Sequence, residues 1–154
     1  MIREAGPSDV PELLAMIHEL ATFEHLDDQV VCTEDDLAAA LFAPGAVIFD
    51  TVAVDHDASG AEVIAGHALW YRNFSTFVGR TGIWLEDLYI RPGHRRRGHA
   101  GALLRDLRAR TDGRVEWEVL NWNAEAIALY DGLGAEPISG WTKYRWLTKR
   151  TTGE

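Results

Sequence analysis

Cysteine is nearly absent from this 154-residue chain: Cys32 stands alone. It cannot form an internal disulfide, which fits a reducing compartment, and it reads as a small core hydrophobe rather than a catalytic thiol. No apolar run approaches the length of a membrane span. The opening residues M-I-R-E-A-G-P-S-D lack the apolar region of a signal peptide, so a cytoplasmic protein is expected. The six histidines lack metal-site spacing, which argues against a metal; surface exposure is expected for His94 and His99. There is no internal repeat, low-complexity tract or linker. One domain over residues 1–148, with a tail at 149–154, is therefore expected.

Positive charge is missing from the first half. Residues 1–71 hold one basic residue, Arg3, against 14 acids, whereas residues 72–154 hold 14 basic and 10 acidic residues. Such asymmetry points to two unlike partners: a cationic one for the first half and an anionic one for the second. A nucleic-acid module built on Arg91, Arg95, Arg96 and Arg97 is disfavoured, because the net charge of −9 repels a phosphate backbone.

What is present is an alternation of strand and helix signals. Ile2 to Ala5 read as a short strand, and a helix follows to about Phe23 with an apolar stripe at Val10, Leu13, Leu14, Ile17, Leu20 and Ala21. Thr33 with Asp36 resembles a capping box and opens a helix that Pro44-Gly45 stops. Ala46 to Val54 and Val63 to Tyr71 read as paired strands around a polar loop from Asp55 to Gly60, and Asn73 to Gly82 as a loop. Val115 to Leu120 suits a strand. Asn123 is a good N-cap for a helix over Ala124 to about Leu133. Glu136–Ile138 and Trp141–Leu147 read as closing strands. The pattern describes an α/β or α+β sheet with helices on both faces.

The most informative stretch runs from Ile83 to Leu107. I-W-L-E-D-L-Y-I reads as a buried strand ended by Pro92-Gly93, and Ala100, Leu103, Leu104 and Leu107 mark the apolar stripe of a helix. Arg95, Arg96, Arg97 and Gly98 lie at that helix's first turn. Its unpaired N–H groups and partial positive charge make an anion site, best suited to a pyrophosphate.

Three features coincide in order: L-E-D-L-Y-I, then R-R-R-G-H-A on the pattern Arg/Gln-x-x-Gly-x-Gly/Ala, then W-N-A-E-A-I-A-L-Y. Together they resemble the GNAT superfamily of N-acetyltransferases. A-T-F-E-H-L-D-D-Q-V and Gly140-Trp141 are similar to the spermidine/spermine (diamine) acetyltransferase-like branch. Where enzymes of that branch carry acids in the loop before the central strand and just before Gly-Trp, this chain has Thr76 and Ser139.

The resemblance implies a mixed, mostly antiparallel sheet of about seven strands, acetyl-CoA as co-substrate, no metal and a homodimer. It places Leu88, Tyr89 and Ile90 against the pantetheine arm. The pyrophosphate falls on the backbone of Arg96, Arg97, Gly98, His99, Ala100 and Gly101, with Arg95 at the motif's first position. Asn123 and Ala126, at the start of the helix Asn123 caps, line the cofactor's far side. Tyr130 takes the place of the general acid. Glu86 takes that of a carboxylate that contacts the amine or orients the water removing its proton, and Glu24 falls at an acidic substrate position. Diamines, polyamines or thialysine-like amino acids are the implied acceptors.

The residue chemistry suits that assignment. A protonated alkyl amine with a pKa of about 10.4 must lose a proton before it attacks, at a cost of roughly 4.6 kcal/mol at pH 7. Glu86, an acid inside an apolar strand, is the leading candidate to help, and Asp87 is its rival, since a β-bulge would change which of them faces the site. A strand amide near Leu88 is suited to the oxyanion, and the Tyr130 phenol to the departing thiolate. The alternative to an enzyme is a catalytically silent CoA-binding protein acting as a sensor or interaction module.

Overall fold

The computed structural model describes residues 1–147. The expected tail at 149–154 lies outside the described residues. Five strands form one sheet in the order β1 (Ile2–Glu4), β2 (Ile48–His56), β3 (Glu62–Ser75), β4 (Arg80–Ile90) and β5 (Val115–Glu116). The first four are antiparallel neighbours, and β5 runs parallel to β4. Helices α1 (Val10–Phe23) and α2 (Glu34–Phe42) precede β2, α3 (His99–Ala109) joins β4 to β5, and α4 (Ala124–Gly132) follows β5. The expected mixed fold is present. No helix among the described residues is long and apolar enough to cross a membrane.

Period-2 alternation in the strands feeds two cores. Val52, Val54, Leu69 and Tyr89 point to one face and pack against Leu13, Met16, Leu37 and Leu41 of α1 and α2. Ala53, Ala68, Trp70, Ile83, Leu85 and Ile90 point to the other and pack against Leu103, Leu104 and Leu107 of α3. Leu13, Leu103 and Leu107 are fully buried, each contributing about 1.5–3 kcal/mol. The capping box at α2 forms as expected: Asp36 N–H donates to Thr33 Oγ1 at 3.1 Å, and Thr33 N–H to Asp36 Oδ2 at 3.0 Å.

Three expectations need correction. The supposed loop from Asn73 to Gly82 is instead the tip of a long β3–β4 hairpin, in which Asn73 pairs with Gly82 and Ser75 with Arg80. The strand expected over Val115–Leu120 is paired only at Val115 and Glu116. The strands expected at Glu136–Ile138 and Trp141–Leu147 are irregular, so the sheet has five strands among the described residues rather than about seven. Strand-like alternation in Trp141–Leu147 is real, but that segment finds no pairing edge among the described residues.

Two irregularities prepare the site. Leu69 pairs with Asp87 but Trp70 pairs with Leu85, so Glu86 is the extra residue of a β-bulge in β4. β5 meets β4 only at Ile83↔Val115 and Trp84↔Glu116. That approach is tight, because a Cβ on Gly113 would collide with the Thr81 carbonyl. Beyond the bulge the two chains part.

Candidate functional site

The parting of β4 and β5 opens a cleft of about 90 Å³ between Leu85–Leu88 on one side and Trp117–Leu120 on the other. Leu20 and Glu24 from the end of α1, Asn123, and Tyr130 from α4 complete its walls. The outer edge of β4 along this cleft has no strand partner among the described residues, so its backbone N–H and C=O groups face the opening. A wider hollow of about 410 Å³ adjoins it, lined by Tyr71, Trp84, Lys143 and Arg145 and sharing Leu85, Glu86 and Glu118 with the cleft.

Glu86, carried on the bulge, is exposed and accepts a hydrogen bond from Trp84 Nε1 at 2.9 Å. Asp87, next to it, is partly buried; burial raises its carboxyl above the usual range, His67 pulls it back, and Glu86 and Asp50 raise it further. Glu24 is raised by burial and by the Asp87 charge. Tyr130 meets Trp117 edge to face, with ring centroids 5.0 Å apart. Burial first and then Glu24 push its phenol above 10, so it is protonated at neutral pH. Tyr130, Glu24, Glu86 and Asp87 thus line one cleft. Of the expected pantetheine contacts, Leu88 is partly exposed in the cleft, whereas the Tyr89 and Ile90 side chains are buried in opposite cores. For those two, only backbone is positioned to meet a ligand.

The basic turn lies at the end of β4. Arg96 and Gly98 both adopt positive φ, 63° and 82°, and Gly98 caps α3 without a side-chain acceptor. The first amides of α3, at His99, Ala100 and Gly101, are therefore not capped by a side chain, as an anion cradle requires. The arginines divide their roles. Arg95 turns inward: its Nε donates to the Ile90 carbonyl at 2.9 Å, and its guanidinium lies 5.5 Å from the Phe23 ring centroid and 5.8 Å from that of Tyr89. Arg97 donates to Asp55 Oδ2 at 2.9 Å. The Arg96 side chain is 87% exposed and lies 3.6 Å from Glu125. Asn123 caps α4 by accepting from the Ala126 amide at 3.2 Å.

His94 and His99 are not the free surface residues expected. His94 Nδ1 and His99 Nε2 lie 2.9 and 3.2 Å from the same Asp55 Oδ2 that holds Arg97. These donors, with His94 foremost, hold the Asp55 carboxyl far below the usual range. The three groups would suit a metal by type and spacing, but the guanidinium on the shared oxygen makes the trio an anchor for the turn. Sequence reading missed Asp55, placing it in a polar loop. It missed Asp50 and His67 as well. Their signal was legible as polar residues inside the apolar runs F-D-T-V-A-V and A-G-H-A-L-W, where an unpaired polar group is costly.

The model of the Acetyltransferase (GNAT) family matches residues 14–135, which span β4, the basic turn, α3 and α4. The chain belongs to that family. Thialysine N-epsilon-acetyltransferase of Caenorhabditis elegans is 38% identical over 146 residues, covering 90% of this chain and 86% of the relative. L-ornithine N5-acetyltransferase of Arabidopsis thaliana is 30% identical over 186 residues, covering 91% and 81%. An integron cassette protein from the mobile metagenome of V. cholerae has the same fold, with a TM-score of 0.75 at 22% identity over 96% of this chain and 92% of that one. This GNAT protein is an N-acetyltransferase, and its thialysine, ornithine and spermidine/spermine-type relatives are consistent with the diamine acetyltransferase-like branch.

Proposed function

We propose that this enzyme transfers the acetyl group of acetyl-CoA to a primary amine of a small cationic molecule, by direct attack with both substrates bound. A side-chain amine of an amino acid is the favoured acceptor and a diamine or polyamine the next, in keeping with the thialysine and ornithine relatives. One observation carries the reading. The unpartnered edge of β4 runs from the acid-lined end of the cleft, past Tyr130, to the turn in front of α3.

In this reading the pantetheine arm pairs with the β4 edge along Leu88–Ile90. The pyrophosphate rests on the amides from Arg96 to Gly101, in the turn that Asp55 anchors and Arg95 ties to β4. The Asn123 side-chain carbonyl is engaged in its cap, which leaves its amide group free for the ligand's other side. The acceptor's ammonium enters past Glu86, Asp87 and Glu24. Glu86 takes its proton directly or through water, the freed nitrogen attacks the thioester carbon, and a β4 amide stabilises the oxyanion. The Tyr130 phenol, held protonated, donates to the thiolate as the C–S bond breaks, and the second proton, shed by the nitrogen as the amide forms, restores the phenol.

The same reading includes a homodimer built through the C-terminal segment. Ile138, Trp141, Tyr144, Trp146 and Leu147 are 74–99% exposed, an apolar run that a second copy would cover. The lone Cys32 supports a reducing, cytoplasmic setting. An acceptor screen with acetyl-CoA, read by thiol release and by the mass of the acetylated product, tests the proposal. Acetylated amine is the expected product. Binding of acetyl-CoA without thiol release for any amine would instead favour the silent CoA-binding protein.

A further inference from the structure

Asp50 and His67 lie in the middle of β2 and β3 with fully buried side chains, joined by a 2.9 Å contact between His67 Nδ1 and Asp50 Oδ2. Among the described residues, neither Asp50 Oδ1 nor His67 Nε2 has a hydrogen-bond partner. A buried polar pair left half satisfied inside an apolar sheet is costly, so its presence needs a reason.

The register supplies one. Asp50, Leu69 and Asp87 stand in one row across β2, β3 and β4, and Val52, His67 and Tyr89 stand in the next. No bulge intervenes between the rows, so all six side chains point to the α1–α2 face, as the packing of Val52, Leu69 and Tyr89 confirms. His67 is therefore the diagonal neighbour of Asp50 on one side and of Asp87 on the other. Diagonal pairs are within reach of a long or aromatic ring. The ring engages Asp50 through Nδ1, and its Nε2 has no partner among the described residues. Asp87 is in turn the carboxylate that lines the cleft.

We propose that Asp50 locks His67 as a buried imidazolium, and that this cation holds Asp87 as the carboxylate that receives the acceptor's ammonium. Asp50 and His67 are positioning residues; Asp87 alone of the three touches substrate. The part of the proposal that concerns the acceptor rests on the function proposed above.

The surrounding charges agree in sign. Burial works against the His67 charge, but the attraction of Asp50, its hydrogen bond and the Asp87 charge outweigh it and raise its pKa. Arg91, at the end of β4, opposes this weakly, being itself engaged by Glu12 and Glu19 of α1. Around Asp87, burial, Glu86 and Asp50 favour the neutral acid, and Glu24 at the end of α1 adds negative charge beside it. Among the described residues, His67 is the group acting on Asp87 in the opposite direction. Without it, the Asp87 pKa would rise further, and the carboxyl would take up its proton at higher pH.

The test is a titration of the free protein labelled with ¹³C-histidine, the His67 signal being assigned by its loss in His67→Gln. His67 is expected to remain protonated well above pH 6.5, the ordinary histidine midpoint. Asp50→Asn should lower that midpoint by about 1 pH unit or more. Asp87→Asn, at a less buried position and so less hazardous to folding, should lower it measurably. In the acetyl-transfer assay, His67→Gln should move the acidic limb of kcat/KM for the amine to higher pH and leave KM for acetyl-CoA unchanged. A merely structural histidine would lower the melting temperature without moving that limb. A neutral His67 at pH 7 in the wild-type protein, or a midpoint indifferent to Asp87→Asn, overturns the proposal. The histidine titration needs no substrate, so it decides the coupling even if no amine is acetylated.

Discussion

The rings of Trp117 and Tyr130 meet at an angle of 63° with their centroids 5.0 Å apart, and both residues pack against the core beneath α3. The contact fixes the phenol on the wall of the cleft that faces Glu86 and Asp87. Removing only the hydroxyl leaves that packing intact. Tyr130→Phe should therefore lower kcat by roughly ten- to ten-thousandfold with KM for acetyl-CoA little changed. Because the phenol's pKa is raised above 10, activity should not fall on the alkaline side through loss of its proton until beyond that pH. Steady-state kinetics across pH check both points, and unchanged turnover in Tyr130→Phe would remove the residue from the mechanism.

Glu86 stands on the bulge, held by Trp84 Nε1 at 2.9 Å. Glu86→Gln keeps the shape and the hydrogen-bond acceptor but loses the base. It should reduce kcat/KM for the amine by about 10²-fold or more, while calorimetry shows acetyl-CoA binding as in the parent. Equal losses for both substrates would mean that Glu86 shapes the cleft rather than handling the proton.

Arg95 connects the basic turn to α1 and β4 through the Ile90 carbonyl and the rings of Phe23 and Tyr89. Arg95→Ala should cost about 1–3 kcal/mol in stability, seen as a lower melting temperature. Arg95→Lys should recover little, since an ammonium cannot lie flat between two rings while keeping that hydrogen bond. Full recovery by lysine would refute the stacked role.

Asp55 gathers His94, Arg97 and His99 on one oxygen. Its carboxyl is depressed from 3.8 in the folded protein. A depressed carboxyl contributes stability that is fully present above its unfolded value and is lost as pH falls toward its folded one. Thermal melts of the parent should therefore fall from about pH 4 downward, and Asp55→Asn should lack that component while melting lower at neutral pH. Its KM for acetyl-CoA should rise, because the turn is released. A variant with parental KM would show that the anchor is dispensable for binding.

Gly98 occupies the left-handed region at φ 82° with open space around it. Gly98→Ala introduces no collision, only strain of about 1–2 kcal/mol, which the turn relieves by changing shape. Weaker acetyl-CoA binding, with Tyr130-dependent chemistry retained at saturating donor, is the outcome expected from calorimetry and kinetics. Undiminished binding would mean that the turn's geometry does not set affinity.

Much of the site was readable because its signals are local. The strand, glycine turn and helix from Ile83 to Leu107 lie in sequence order, and the caps at Thr33 and Asn123 act within three residues. The bulge candidates, Glu86 and Asp87, were legible as acids in an apolar strand; which of them is the extra residue was not, since the answer is the register against Leu69 and Trp70. His94 and His99 read as exposed because their partner, Asp55, lies 39 and 44 residues away. The strand expected at Trp141–Leu147 failed for the same kind of reason: alternation describes a chain able to pair, not an edge free to receive it.

By itself, then, the amino-acid order determined most of the element types, the glycine turn without a side-chain cap before α3 and the membership of the acetyltransferase family, because periodicity, capping and backbone freedom act over a few neighbouring residues. The tertiary structure alone decided that β4 and β5 part beyond Trp84, that Arg95 faces inward while Arg96 faces solvent, and that a buried Asp50–His67 pair lies behind Asp87. Those outcomes depend on strand register and on contacts between residues far apart in the chain, where the free energy of packing selects among arrangements that local propensity leaves equal.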